Sequence, residues 1–119
     1  SAVKNTETKP YKVGKTVLAD KTLSMGFAPQ KGLRFDAAEI PEGAVIRTAR
    51  QGDAFTKFGG GTKSLKKYFI DKKIPLLWRR EIPLIADGED ILLIFGVEIS
   101  DKIKVDEGTK STLYAALEE

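Results

Sequence analysis

Cysteine and histidine are both absent from the 119 residues of this sequence. Without cysteine there is no disulfide, no thiolate nucleophile and no cysteine-ligated zinc site, a composition typical of a reducing compartment. Without histidine there is no imidazole general base and no histidine-ligated metal. The two absences exclude much of the catalytic and metal-binding chemistry that a small protein can carry.

Long hydrophobic runs are missing as well. No apolar stretch approaches the roughly 18 residues that a membrane-spanning helix needs, and no signal peptide is visible. We therefore expect a cytoplasmic protein with no membrane partner. With 41% hydrophobic and 31% charged residues, the chain is long enough for one domain with its own core and too short for two.

A strongly basic segment runs from residue 44 to residue 83. It holds ten Lys or Arg against three acids, a balance of +7, whereas the rest of the chain has a balance of −4. A basic zone on an otherwise acidic chain indicates a site for a polyanion. The alternative is that these charges form ordinary solvated helix faces.

The centre of this segment combines glycines with a helical pattern. Gly59 to Gly61 can adopt positive φ and let the backbone approach another molecule closely. The stretch Lys63 to Lys73 is predicted to be a helix, because Leu65, Tyr68 and Phe69 follow the i, i+3, i+4 spacing of one buried face. A basic helix with an apolar anchor is the result.

Three lysines of the predicted helix share a second face. Lys63, Lys66 and Lys67 have the same spacing as the apolar residues, so their ammonium groups are predicted to project together. Pro75 ends the helix, since proline lacks an amide hydrogen and restricts the residue before it. Asp71 is expected to pair with neighbouring lysines, which contributes little at an exposed site.

A second short turn after Pro75 carries Trp78, Arg79 and Arg80. We interpret Trp78 as a core residue packed beneath the two arginines, with stacking on a nucleic-acid base as the alternative.

Runs of β-like sequence surround the basic segment. The candidate strands are residues 11–18, 22–28, 33–36, 44–48, 83–87, 91–95, 97–99 and 102–105. Five consecutive apolar residues, Ile91 to Phe95, predict a strand covered on both faces and therefore a layered architecture. In the last segment Leu113 and Leu117 indicate a helix, and a strand start at 111–114 is the alternative.

Strands outnumber helices in this pattern, and the helices cluster in the middle of the chain. The predicted fold class is therefore α+β: a single compact domain of layered, β-sandwich-like sheets with a mid-chain basic helix.

Catalytic motifs are not apparent. The run Gly59 to Ser64 has no glycine directly before Lys-Ser, no glycine five residues earlier and no preceding buried strand, so it is not a P-loop. The paired acids Glu89-Asp90 and Asp106-Glu107 sit beside glycine in predicted turns, where solvated turn residues are expected. An independent small enzyme is disfavoured.

The residues of the basic segment and its flanks resemble the C-terminal domain of bacterial tRNA(Ile)-lysidine synthetase. The similarity covers about residues 33–105. The matching residues are Val45-Ile46-Arg47-Thr48, Arg50, Gly52-Asp53, Phe55, Gly61, Lys63, Leu65-Lys66-Lys67-Tyr68-Phe69-Ile70-Asp71, Lys73-Ile74-Pro75, Arg79-Arg80, Ile82-Pro83-Leu84-Ile85, Gly88, Gly96 and Ile99.

This resemblance implies a place within a longer enzyme. Residues 1–30 would be a linker and leading β segment, and residues 31–119 a tRNA-binding C-terminal domain. Ser1-Ala2 in place of methionine is interpreted as the remnant of a cleaved tag on an excised piece.

The parent enzyme implied by the resemblance is an ATP-dependent ligase that joins lysine to the wobble cytidine of isoleucine tRNA. Its chemistry belongs to an N-terminal catalytic domain that uses ATP and Mg²⁺, whose Ser-Gly-Gly-x-Asp-Ser loop is absent from this chain. The chain alone is therefore expected to be non-catalytic and to hold no cofactor. The expected partners are the acceptor stem of tRNA(Ile) and that catalytic domain, and a homodimer of the parent is left open.

The fold implied by the resemblance is that of a domain of the phenylalanyl-tRNA synthetase β subunit. The residues expected to contact phosphate are Lys63, Lys66, Lys67, Arg79 and Arg80, with Arg47 and Arg50 as secondary contacts. Asp53 is expected to orient the arginines or cap the loop.

The alternative function is a protein-interaction module that docks on its own catalytic domain or on a partner subunit through the edge of the Ile91 to Phe95 strand, without contacting RNA. Three positions that are commonly basic in the family are Ala49, Ala54 and Glu98 here. If each made a phosphate contact, their loss weakens binding and lowers its salt dependence.

Overall fold

The computed structural model describes residues 7–118, which form two β-sheets and two short α-helices. The strands are β1 (Lys9–Pro10), β2 (Gly14–Leu18), β3 (Lys21–Gly26), β4 (Leu33–Asp36), β5 (Val45–Arg47), β6 (Ala54–Thr56), β7 (Thr62–Ser64), β8 (Leu84–Asp87), β9 (Asp90–Ile94), β10 (Glu98–Ile99) and β11 (Thr112–Leu117). The helices are α1 (Leu65–Asp71) and α2 (Leu76–Arg79), with 3₁₀ turns at Ala37–Glu39 and Asp101–Ile103. Neither described α-helix is long and apolar enough to cross a membrane.

The larger sheet has seven strands, in the order β1-β5-β8-β9-β6-β7 with β10 also paired to β9. The smaller sheet has four strands, in the order β2-β3-β11-β4. The β6–β9 pair is parallel and the other pairs are antiparallel. The last strand of the chain therefore lies inside the smaller sheet, between two strands from its beginning.

The larger sheet is the middle layer of three. One of its faces packs on the smaller sheet through a core that includes Ile46, Ile85 and Leu93. The other face packs on α1 through a second core that includes Leu84 and Ile91. The predicted α+β class with layered sheets is confirmed, and β9 is covered on both faces as its apolar run predicted.

A β-bulge shifts the alternation of side chains along β9. Ile85 on β8 pairs with Leu93 and the next residue, Ala86, pairs with Ile91, so Leu92 is the extra residue. Leu92 and Leu93 consequently face the same core. Bulges of this kind re-aim the side chains beyond them, which a strict period of two cannot predict.

The leading β segment expected within residues 1–30 is the β2–β3 hairpin. Its Leu18, Leu23 and Met25 are buried in the core between the sheets, so the hairpin belongs to the domain. The first described residues are also engaged, because Lys9–Pro10 pairs with β5. Ser1-Ala2 lies outside the described residues.

Two predictions of secondary structure are wrong. Residues 102–105 do not form a strand: Ser100 caps a 3₁₀ turn at Asp101–Ile103, which buries only Ile103. The final segment is not a helix but the strand β11, which confirms the alternative of a strand start at 111–114. An i, i+4 spacing is also even, so Leu113 and Leu117 can share one face of a strand, and the neighbouring edges of β3 and β4 supply its partners.

Candidate nucleic-acid interface

Helix α1 is anchored by the apolar residues that the sequence predicted. Leu65, Tyr68 and Phe69 are buried, and the Tyr68 ring packs against Phe55 with 4.7 Å between centroids. The helix begins at Leu65 and not at Lys63, because the Ser64 side chain accepts a hydrogen bond from the Lys67 amide at 3.1 Å and caps the helix. Lys63 lies one residue earlier, in β7.

The three lysines do not project together as predicted. Lys63 Nζ lies 2.7 Å and Lys67 Nζ 3.1 Å from the carboxylate of Asp71. These hydrogen bonds, that of Lys63 first, hold the pKa of Asp71 below its ordinary value. Lys63, Lys67 and Asp71 thus form one ion-paired ridge, and Lys66 lies on a different face of the helix.

Lys66 lines a cleft between α1, α2 and the loop that follows β5. The cleft has a volume of about 720 Å³, and its lining residues fall into three chemical groups. The basic ones are Arg50, Lys66, Arg79 and Arg80, the apolar ones Ala49, Leu65, Phe69 and Leu76, and the polar ones Thr48 and Gln51. The cleft therefore combines four cationic side chains with an apolar floor.

Helix α2 presents its two faces differently. Leu76, Arg79 and Arg80 follow the i, i+3, i+4 spacing and line the cleft. The Arg79 side chain is anchored there, since its Nε donates to the Ile74 carbonyl at 2.7 Å. Arg80 remains exposed.

Trp78 is not the core residue that we predicted. Its side chain is 66% exposed, and its neighbour Leu77 is 73% exposed. The helix has a single turn and buries none of its residues. Neither Leu77 nor Trp78 lines the cleft.

Arg47 is separated from the other basic residues by burial. Its guanidinium donates to both carboxylate oxygens of Asp53, at 2.9 and 2.8 Å, and to the carbonyls of Thr48 and Gly88. Its side chain is only 4% exposed, which leaves it no surface for a phosphate. The prediction that Asp53 orients an arginine is confirmed, whereas we reassign Arg47 from a phosphate contact to a structural residue.

Arg50 is placed by the same carboxylate but points outward. Its amide donates to Asp53 Oδ2 at 2.8 Å, and its exposed guanidinium reaches Thr8 Oγ1 at 2.9 Å. Arg50 thereby joins Lys66 and Arg80 at the cleft, although 30 residues separate Arg50 from Arg80.

The glycine run forms the tip of the β6–β7 hairpin, and the amides of Phe58, Gly59 and Gly60 donate hydrogen bonds within the chain. Gly59, Gly60 and Gly61 all have φ near +90° to +100°. The Phe58 amide donates to Glu98 at 3.0 Å and the Gly59 amide to Asp101 at 3.0 Å. The bond from Gly59, together with Lys104, lowers the pKa of Asp101.

The three positions that lack a basic residue have different surroundings. Ala49 lines the cleft, Ala54 pairs with Ser64 between β6 and β7, and Glu98 holds the hairpin tip. Only Ala49 is next to the basic residues at the cleft.

The strand edge proposed for protein docking does not exist. β9 pairs with β8 on one side and with β6 and β10 on the other, and Ile91 to Phe95 are all buried. The apolar run that marked this strand as a docking edge is instead the centre of the larger sheet.

The cleft itself was not predicted from the sequence, because its lining residues come from three separate segments of the chain. The spacing of Leu76, Arg79 and Arg80 was a usable signal for one wall, but the meeting of that wall with Arg50 depends on tertiary packing. Among residues 7–118 no group of three or more acidic side chains is arranged to hold a metal ion.

Comparisons with known proteins show the family of this chain. The model of the TilS substrate C-terminal domain family matches residues 44–115. The tRNA(Ile)-lysidine synthase of Caldanaerobacter subterraneus subsp. tengcongensis is 42% identical over 80 residues, which are 66% of this chain and 17% of that protein. The synthase of Clostridium tetani is 41% identical over 85 residues, 71% of this chain and 18% of that protein.

A solved structure of a TilS C-terminal domain has the same fold. It matches with a TM-score of 0.73 at 26% sequence identity and covers 94% of this chain and 95% of that chain. The chain spans less than a fifth of the length of the curated relatives above. With the family model matching well over half of its residues, the chain belongs to the TilS substrate C-terminal domain family, as its sequence predicted.

Proposed function

We propose that this domain holds the acceptor stem of isoleucine tRNA for a lysidine-forming enzyme. The observation that carries the proposal is the grouping of exposed Arg50, Lys66 and Arg80 at one cleft, beside the ridge of Lys63 and Lys67. Double-stranded RNA is recognised mostly through its shape, phosphates and 2′-hydroxyls, and exposed arginines and lysines suit such contacts.

The basic residues have different roles in this proposal. Lys66, Arg79, Arg80 and Arg50 contact phosphates around the cleft, and Lys63 and Lys67 do so in competition with Asp71. Arg47 supports the loop from beneath. The parent protein is then an ATP-dependent ligase of the cytoplasm, with ATP and Mg²⁺ bound in its N-terminal catalytic domain.

The test is binding of the chain to a hairpin with the acceptor-stem sequence of isoleucine tRNA, across a salt series. A variant with Arg50, Lys66 and Arg80 changed to Ala should lose affinity. The slope of log K against log salt should fall in magnitude by about two to three units, since each of the three lost phosphate contacts removes about 0.7 to 0.9. The matched control changes Lys12, Lys31 and Lys110, three exposed lysines outside the basic segment, to Ala. Equal losses in the two variants would mean that net charge alone attracts the RNA.

A second candidate function is docking on the catalytic domain of the same protein. Leu77 and Trp78 favour it, because they are large, exposed apolar side chains on adjacent positions. In that case the hairpin stays unbound even at low salt. The two functions therefore give opposite results in the same experiment.

A further inference from the structure

The cleft has a composition that duplex phosphates alone do not explain. Phosphate contacts require cations on a surface, and Arg50, Lys66 and Arg80 supply them. They do not require a concave apolar floor, which here comes from the 59%-exposed Leu76 and the half-buried Ala49, with Leu65 and Phe69 buried behind them. In an A-form duplex the bases are stacked and paired, so their flat faces are unavailable to such a floor.

An unpaired nucleotide matches both parts of the cleft. Its base is a flat ring with an apolar face that packs on hydrophobic and aromatic side chains, and its phosphates are anionic. A cleft of about 720 Å³ also lies within the range of roughly 300 to 1,000 Å³ of sites that enclose a small organic molecule.

We propose that this cleft receives an unpaired nucleotide of the 3′ tail that follows the last base pair of the bound stem. The base lies against Leu76 and Ala49, with the buried Phe69 behind them, and Arg50, Lys66 and Arg80 at the rim hold the adjoining phosphates. This inference rests on the proposed function, since the stem must be bound for its tail to reach the cleft. It adds a site for single-stranded RNA to a domain that otherwise grips a duplex.

The anchoring of the cleft walls favours a preformed site. Leu65 and Phe69 are fixed in the core under α1, and Arg79 is held by its bond to the Ile74 carbonyl. The loop that carries Arg50 is tied to the buried carboxylate of Asp53. Little ordering of these walls is therefore needed when a base enters.

Helix α2 offers a matched pair of variants. Leu76→Glu places a carboxylate inside the cleft, whereas Leu77→Glu places the same charge on the adjacent residue, outside the cleft. Both side chains are exposed in the folded protein, so neither change disturbs the core. The pair separates occupation of the cleft from a general charge effect.

The experiment measures dissociation constants for three RNA hairpins: the acceptor stem with its 3′ tail, the same stem with a blunt end, and the stem with a tail of abasic nucleotides. For the unaltered chain and Leu77→Glu, losing the tail or its bases should weaken binding about 10-fold, the scale of one stacked base. Leu76→Glu should bind all three hairpins alike, at or below the affinity of the unaltered chain for the blunt stem, because the new carboxylate also pairs with the cations that line the cleft.

Three outcomes would overturn the inference. Equal binding of the tailed, blunt and abasic hairpins by the unaltered chain would leave the stem bound but the cleft free for a protein segment. Loss of the tail contribution in Leu77→Glu as fully as in Leu76→Glu would assign it to charge. Failure of every hairpin to bind would reject the proposed function itself, and this inference with it.

Discussion

Arg47 and Asp53 form a two-pronged ion pair inside the domain, with both carboxylate oxygens within 2.9 Å of guanidinium nitrogens. Their side chains are 4% and 1% exposed. Arg47 also donates to the Gly88 carbonyl, and Asp53 also accepts a hydrogen bond from the Arg50 amide. One buried pair therefore joins the end of β5, the β8–β9 turn and the loop that carries a wall of the cleft.

Changing Arg47 to Met should destabilise the domain strongly. Asp53 would be left as an unpaired buried charge, which costs about 3 to 5 kcal/mol. Chemical denaturation measures the loss. The control is Arg34→Met on the exposed face of β4, where a change within about 0.5 kcal/mol is expected. Equal denaturation midpoints for the two variants would show that the pair does not support the fold.

Changing Asp71 to Asn should strengthen RNA binding. Asp71 now holds Lys63 and Lys67 in ion pairs, so removing its charge releases two cations for phosphates. We expect an affinity several-fold higher and a salt slope larger by about one unit. The control Glu107→Gln makes the same change in net charge in the turn before β11. If both variants gain alike, the ridge has no special role.

Changing Lys73 to Gly should stabilise the domain. Lys73 has φ +57° just after α1, where its amide donates to Ile70 and the Ile74 amide donates to Phe69 in a Schellman arrangement. Glycine avoids the strain of this conformation but has greater entropy in the unfolded chain, so a net gain of about 0.5 to 1 kcal/mol is expected. Lys72→Gly, one residue earlier at φ −85°, should instead lose about 1 kcal/mol. Thermal unfolding of the two variants in parallel decides the matter, and a loss in both would contradict the assignment.

Changing Asp101 to Asn should loosen the tip of the β6–β7 hairpin. The Gly59 amide loses a charged acceptor, so its hydrogen exchange should accelerate. Acid should act in the same direction on the unaltered chain. The pKa of Asp101 is depressed in the folded state, so its contribution to stability is present above the ordinary value of 3.8 and is lost as the pH falls through the lower folded value. Unchanged exchange at Gly59 in Asp101→Asn would refute the role of this bond.

Changing Trp78 to Ser should leave stability within about 0.5 kcal/mol, because the indole is exposed. Phe69→Ser is the buried counterpart, and by analogy with Phe→Ala changes it should lose about 3 kcal/mol or more. Trp78 is also the only tryptophan of the chain. Its fluorescence should accordingly be quenched by iodide in the folded protein, and protection from iodide would contradict its exposed position.

Local patterns in the sequence predicted the layered class and the apolar face of α1. Leu65, Tyr68 and Phe69 follow a helical period, and the five apolar residues of β9 mark a strand covered on both sides. These features depend on spacing alone, and spacing can be read along a chain.

The errors arose where the way the chain folds back and packs decides the outcome, which the spacing of residue types does not show. Arg47 was predicted to be an exposed arginine, because its type and position in the sequence do not show that the folded loop places Asp53 against it. Lys63 fitted a helical spacing, but it lies in β7, where it pairs with Phe55 of β6. The helix begins only after Ser64, which caps it. Trp78 was placed inside because of its size, although a helix of four residues has too little surface to cover it.

The position of β11 between β3 and β4 has a consequence for synthesis of the protein. The smaller sheet has two halves, β2–β3 and β4, that are joined only when the last strand enters between them. Because a ribosome releases the chain from its N-terminus, the backbone edges of β3 and β4 beside Leu23 and Phe35 remain unpaired until residues 112–117 have emerged. Folding of this sheet is therefore completed after translation of the strand, and a chain that stops short of it exposes two open β-edges to aggregation.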